Sequence, residues 1–235
     1  MALGIFYIVF KLRRIHFRLF ENDRLAQIRS DNQYAQLTTL HALESELNLQ
    51  TSLPATRGWA ASPDFLLHVL RVAQRVKPQV VVECSSGTST VVIARALQLA
   101  GEGHLFSLEH DPVYAQRTRD ELRRHGLEQH ATVIDTPLVE VSVAGNRARW
   151  YKHSEVPDGI DMLVIDGPPI GTQPLARFPA VPLLLDRMNK QSQVILDDAN
   201  RTDERKSVER WIKEFGLVSS GDLHAEKGIA VLHRL

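Results

Sequence analysis

Residues 80–90 read Val-Val-Val-Glu-Cys-Ser-Ser-Gly-Thr-Ser-Thr, from Val80 to Thr90. Three consecutive β-branched apolar residues suit a strand buried on both faces, and Glu83 closes it with a charge. Cys84 to Gly87 are small residues fit for a tight turn, and a helical pattern begins at Thr88 and runs to Ala100. Strand, turn and helix in this order are the opening of a parallel α/β unit.

The same alternation continues on both sides. Pro63 to Val76 reads as a helix, with Ser62 at the N-cap and Pro63 in the first turn. Strands are predicted at His104–Glu109, Ala131–Asp135, Asp161–Asp166 and Gln193–Asp198. Helices are predicted at Pro112–His125 and Glu204–Phe215, and a final hairpin over Leu217–Leu223 and Gly228–His233. No element is assigned between Asp135 and Asp161. The pattern implies a doubly wound, mostly parallel sheet covered on both faces.

In such a sheet, ligands bind beyond the carboxyl ends of the strands. Acids stand at those ends: Glu83, Glu109, Asp135, Asp166 and the pair Asp197-Asp198. Buried strands otherwise have little use for charge, so these positions point to a site. The first turn contains one glycine, Gly87, where a dinucleotide loop needs G-x-G-x-x-G, and Glu83 would repel a diphosphate. No Gly-Lys-Ser/Thr follows either, which removes the P-loop. Glu109 stands 22 residues after Gly87, where an acid ending the second strand can accept two ribose hydroxyls. A nucleoside with a cationic tail and no phosphate is S-adenosylmethionine.

With these motifs in order, residues 55–235 resemble the class I S-adenosylmethionine-dependent methyltransferases. Glu83-x-Ser85-x-Gly87-x-Ser89 is similar to their first motif, with serine at the two outer glycine positions. SLEHD (Ser107–Asp111) resembles the ribose motif, LVIDGPP (Leu163–Pro169) the fourth-strand motif and VILDDANR (Val194–Arg201) the fifth-strand motif. The resemblance implies a seven-stranded Rossmann-like methyltransferase sheet with an antiparallel last strand. It also implies that Glu83, Ser85, Gly87, Ser89, Glu109, His110, Asp135 and Asp166 surround the cofactor. Asp135 or its neighbour Thr136 takes the adenine contact. His110 is either at the pocket edge or a bystander.

A closer likeness is to the small-molecule O-methyltransferases of the catechol and sugar type. It implies a divalent cation such as magnesium held by Asp166, Asp197 and Asp198, with Asn200 nearby, because three carboxylates suit a hard ion. The cation would acidify the acceptor hydroxyl. Without it, Asp166 or Asp198 serves as general base. The expected acceptor is a small hydroxylated compound, a sugar or secondary metabolite. The alternatives are a metal-independent N-methyltransferase and a non-catalytic nucleoside-binding scaffold. Arg177 and Arg201 are candidates for holding an anionic acceptor, or else solvated helix-end charges. Trp59 is a candidate lid or a core anchor. A nicotinamide-dependent oxidoreductase is disfavoured by the missing glycines.

Composition sets outer limits. The chain has 235 residues, 28 Lys plus Arg against 28 Asp plus Glu, and a single cysteine. Charge balance argues against a nucleic-acid partner, and one cysteine excludes a disulfide framework or a multi-cysteine metal site. Cys84 itself reads as a small buried hydrophobe. No apolar run approaches the roughly 20 residues of a membrane span. A cytoplasmic protein is expected.

The N-terminus departs from this ordinary picture. Residues 2–10 (ALGIFYIVF) are almost wholly apolar, and Lys11, Arg13, Arg14 and Arg18 follow. That order is the reverse of a secretory signal. Two readings are open for residues 2–20: peripheral contact with an anionic membrane, or packing on the domain or a second chain. From Asn22 to Leu49, Leu25, Ile28, Leu37, Leu40, Leu43 and Leu47 follow helical spacing, which suits docking or a homodimer through N-terminal helices. Pro54, Gly58 and Pro63 break the pattern. The expected division is a helical extension over 1–50 and a catalytic domain over 51–235.

Overall fold

A computed structural model describes residues 2–58, 60–223 and 225–235; Trp59, the candidate lid, lies outside the described residues. Seven strands form one sheet in the order β3-β2-β1-β6-β7-β9-β8. These are β1 Val80–Cys84, β2 His104–Glu109, β3 Ala131–Asp135, β6 Ile160–Ile165, β7 Met188–Asp197, β8 Leu217–Leu223 and β9 Ile229–Arg234. β1, β2, β3, β6 and β7 are parallel, while β9 runs antiparallel between β7 and β8. The expected sheet with its antiparallel last strand is therefore present. The strand order reverses between β1 and β6, which opens a crevice at their carboxyl ends.

The apolar strands explain the two cores. Side chains alternate across a strand, so β1 sends Val81 to one face and Val82 and Cys84 to the other. The first face is covered by α2 (Pro63–Val76), α3 (Thr88–Ala100) and α4 (Pro112–Arg124). The second is covered by the short α5 (Ala180–Leu184), α6 (Thr202–Phe215), and a hairpin of β4 (Leu138–Val143) and β5 (Asn146–Tyr151). Local turn chemistry starts α3 and α4. Asp111 caps α4 by accepting the Val113 N–H at 2.8 Å, with Pro112 behind it. Gly87, at φ 147°, turns the chain from β1 into α3.

The hairpin is the element the sequence did not disclose. Val139, Val141 and Val143 alternate with Glu140 and Ser142, and Ala144 and Gly145 both take positive φ at the turn. It carries Trp150 and Tyr151, both fully buried, into the second core.

The N-terminal segment is a single helix, α1 (Ala2–Leu47), where the sequence suggested a short apolar piece followed by a second helix. At 1.5 Å per residue it is about 69 Å long. Only its last third meets the domain. Gln36 hydrogen-bonds Asp64, and Leu43 and Leu47 are fully buried in the first core. No helix among the described residues is long and apolar enough to cross a membrane.

Candidate functional site

The crevice at the β1–β6 switch is a cavity of about 330 Å³. That is within the range of small-molecule sites. Ser85, Ser86, Glu109 and His110 form one wall, and Asp166, Arg177, Asp198 and Arg201 another. Tyr151 of the hairpin closes the space between them.

Glu83 ends up beneath the site instead of in it. Its Oε2 accepts the Thr90 hydroxyl at 2.6 Å, and Thr90 Oγ1 accepts the Gly87 N–H at 2.9 Å. The carboxyl thus ties the start of α3 to the strand and fixes the loop. Full burial pushes its pKa up to about 7. Ser85 N–H donates to the Leu108 carbonyl at 2.9 Å, and Ser107 Oγ donates to the Ser85 carbonyl at 2.6 Å. These bonds hold Ser85 at φ 117°, a conformation suited to glycine. Gly87 and Ser89 help build the turn and the first helical turn, and neither lines the cavity.

Glu109 closes β2 at the cavity wall and is 5% exposed. Its Oε1 accepts the backbone N–H groups of His110 at 2.8 Å and Asp111 at 3.0 Å. Its Oε2 accepts the Ser86 hydroxyl at 2.9 Å. A carboxylate offers about four acceptor positions, so one remains for a ligand beyond these three donors. His110 Nδ1 lies 3.0 Å from Glu109 Oε1, which places His110 at the pocket edge. Asp135 is brought elsewhere. It ends the edge strand β3 facing solvent, pairs with Arg119 at 2.8 Å and does not line the cavity. Thr136 is buried, and its Oγ1 donates to the Lys152 carbonyl at 2.5 Å.

Asp166, Asp197 and Asp198 do converge. One carboxylate oxygen from each lies within 4.8 Å of the others. β7 ends at Asp197, and Asp198 takes a left-handed φ of 59°. That break lets neighbouring residues turn toward one place, which a continuing strand forbids.

The charge that answers them belongs to Arg177. Its guanidinium donates through Nη2 to Asp198 Oδ2 at 2.7 Å and Asp166 Oδ1 at 3.1 Å, and through Nη1 to the Asp197 carbonyl at 2.9 Å. Arg177 is 4% exposed. Arg201 adds a second cation 2.8 Å from Asp198 Oδ2. Burial, then the neighbouring Asp166 and Asp198 charges, push the Asp197 carboxyl well above its ordinary value. Asp166 and Asp198 already face the guanidinium groups of Arg177 and Arg201, with the buried Glu204 beside both, so the place of a hard divalent ion is taken by Arg177. Such an ion would have to displace Arg177. Arg177 is a site residue whose neighbours the sequence could not show, because it reaches the acids from an irregular segment before α5.

Tyr151 is the other addition. Its hydroxyl is buried without a hydrogen-bond partner among the described residues. It approaches Gly167 so closely that a Cβ there would collide with the hydroxyl. A glycine at 167 is what admits the tyrosine to the crevice.

Comparisons with known proteins bear on this arrangement. No curated protein sequence matches the chain. Among solved structures, a SAH-bound methyltransferase from Podospora anserina, PaMTH1, is 13% identical, covers 84% of this chain and 88% of its own, with a TM-score of 0.61. An O-methyltransferase from Bacillus cereus in complex with SAH is 15% identical over 88% of this chain and 97% of that one, with a TM-score of 0.59. The O-methyltransferase TomG from Streptomyces achromogenes, in complex with SAM, gives 13%, 87%, 96% and 0.54. At these identities the likeness is one of fold, and it is the Rossmann-like methyltransferase fold. The family model described as "Methyltransferase domain" matches residues 82–199, which span β1's end, most of the crevice lining and the Asp197-Asp198 pair. The chain belongs to that family of methyltransferase domains.

Proposed function

We propose that this protein transfers the methyl group of S-adenosylmethionine to a hydroxyl of a small molecule, and that it does so without a divalent metal. The observation that carries the reading is Glu109. It is a buried carboxylate held by three donors at the end of the second strand, with acceptor capacity left toward a cavity of ligand size. A buried anion fixed this way suits ribose hydroxyls. The tyrosine hydroxyl without a partner and the Gly167 approach fit the same ligand at the other end of the crevice. The solved O-methyltransferases of the same fold support the choice of oxygen as acceptor.

The bound cofactor supplies an electrophilic methyl on a sulfonium, open to in-line displacement. The chain's part is mainly alignment, and proximity carries much of the acceleration. Asp166 is the group suited to take the acceptor's proton. Burial raises its pKa above the usual carboxylate range, although Arg177 pulls the other way. Only Oδ1 is spent on Arg177, and Oδ2 has no hydrogen bond among the described residues. Asp198 is engaged by both Arg177 and Arg201 and serves to anchor them. Asp197 helps hold the end of β7, its Oδ1 accepting the Asp198 N–H at 2.8 Å.

Calorimetric titration tests the cofactor half. S-adenosylmethionine or its demethylated product binds and NAD does not. Glu109→Ala weakens binding by about 1.5–3 kcal/mol, the usual worth of hydrogen bonds to a charged group. Tight NAD binding, or an unaffected Glu109→Ala variant, defeats the assignment. Labelled methyl transfer to acceptors from cell extract, with Asp166→Asn as the control, tests the chemistry.

A further inference from the structure

Residues 4–20 have no role in the crevice and no cover from the domain. Every residue from 4 to 20 is exposed, although most are apolar. Phe6 is 75% exposed and Phe17 69%. The first side chain of α1 to reach the rest of the molecule is Asn32, which donates to Glu226 at 3.1 Å. About 30 residues of helix, roughly 45 Å, therefore stand clear of the domain.

What surface would cover such a helix? A second copy of the same helix is the first candidate. Ile5, Ile8, Leu12, Ile15 and Leu19 recur at alternating spacings of three and four, which is a coiled-coil seam. Two observations count against it. Phe6, Tyr7, Phe10, Phe17 and Phe20 lie off that seam, so pairing along it would leave five aromatic side chains in water. Residues 1–20 also carry Lys11, Arg13, Arg14 and Arg18 and no acid, so two copies side by side would face cations with cations.

An anionic bilayer surface meets both demands. Residues 5–10 are apolar around the whole helix and need an apolar medium on every side. Lys11, Arg14 and Arg18, at i, i+3 and i+7, form a basic stripe on the next two turns. Ile5 to Phe20 is about 24 Å of helix, short of the ~30 Å hydrocarbon core and interrupted by four cations, so this segment lies in the interface instead of spanning it. The chain as a whole has zero formal net charge, so attraction to anionic lipid would come from this segment and not from the domain.

We infer that residues 5–20 of α1 form an interfacial anchor for anionic lipid bilayers, with the aromatic and aliphatic side chains among the acyl chains and the four cations at the phosphate level. The remaining eleven residues to Asn32 hold the domain off the surface on a rigid stem.

The experiment is co-sedimentation of the full chain with vesicles of phosphatidylcholine alone or mixed with phosphatidylglycerol. The chain follows the anionic vesicles, and raised salt releases it. Each cation removed lowers partitioning about fivefold, so Arg13→Gln, Arg14→Gln and Arg18→Gln together lower it by roughly a hundredfold. Phe6→Ser with Phe10→Ser abolishes binding. All five substituted side chains are exposed, and cofactor titration of each variant confirms that the domain is intact. Equal binding to neutral and anionic vesicles overturns the inference, as does binding that survives the phenylalanine changes. A chain that ignores both vesicle types, whether single or self-associated in light scattering, overturns it too.

Discussion

Arg177 and Asp198 meet inside the protein at 2.7 Å, each about 95% shielded from solvent. A buried ion pair contributes little net stability, since desolvation offsets the attraction, but removing one partner strands the other. Arg177→Met therefore destabilises the fold by about 3–5 kcal/mol, read from denaturant midpoints. It also leaves Asp166 and Asp198 without their shared cation. The variant is then expected to gain thermal stability on adding magnesium or manganese, whereas the parent chain gains none and transfers methyl groups in excess chelator. Metal-dependent activity of the parent chain would show that Arg177 yields its place to an ion.

Ser85 stands at φ 117°, where the related loop pattern has glycine. Strain in such a region costs roughly 1–3 kcal/mol, and glycine returns part of the relief as backbone entropy. Ser85→Gly is expected to stabilise the protein by about 1 kcal/mol. For a chain of this size that raises the melting temperature by roughly 2–4 °C. The backbone bonds to Leu108 and Ser107 are kept, so cofactor affinity holds or improves. A lower melting temperature would mean that the serine conformation is unstrained.

Glu83 makes stability depend on pH in a definite direction. Its pKa is raised to about 7 in the folded chain, by burial. Unfolded, a glutamate titrates near 4.3. Between these values the folded state holds a proton that the unfolded state has lost, so stability falls as pH rises, and levels off above pH 7. The full change is about 3.5–4 kcal/mol. Glu83→Gln keeps a neutral side chain at every pH and should flatten that part of the profile. An unchanged slope between pH 4.5 and 7 in the variant would assign it to other groups.

The extension divides unequally. Among the described residues, deleting 1–20 removes only exposed surface, and thermal melting and cofactor titration should be unaffected. Deleting residues 1–50 also takes away Leu43 and Leu47, which are fully buried. At about 1.5–3 kcal/mol for each buried leucine, that truncation costs roughly 3–6 kcal/mol. Equal stability of the two truncations would place the functional domain wholly within 51–235.

Sheet, helices and loop motif were legible in the sequence because they rest on local rules. β-Branched runs such as Val80–Val82 can bury both faces, Gly87 turns where other residues strain, and Asp111-Pro112 starts a helix by satisfying its first donors. The acids at strand ends were legible for the same reason: their positions follow from where each strand stops. What each acid does was not. Glu83 and Glu109 look alike in sequence, yet one sits under the loop and the other faces the cavity, and only the packing of α3 separates them. Asp135 ends its strand as the others do, but on an edge that turns it to solvent and Arg119. Arg177 is 11 residues from Asp166 and 21 from Asp198 along the chain, and no local spacing tells that its guanidinium reaches both. Tyr151 enters the crevice through a hairpin and past a glycine 16 positions away in sequence. Secondary structure is set by neighbours along the chain, whereas charge pairing and burial are set by neighbours in space, and those exist only once the sheet has closed.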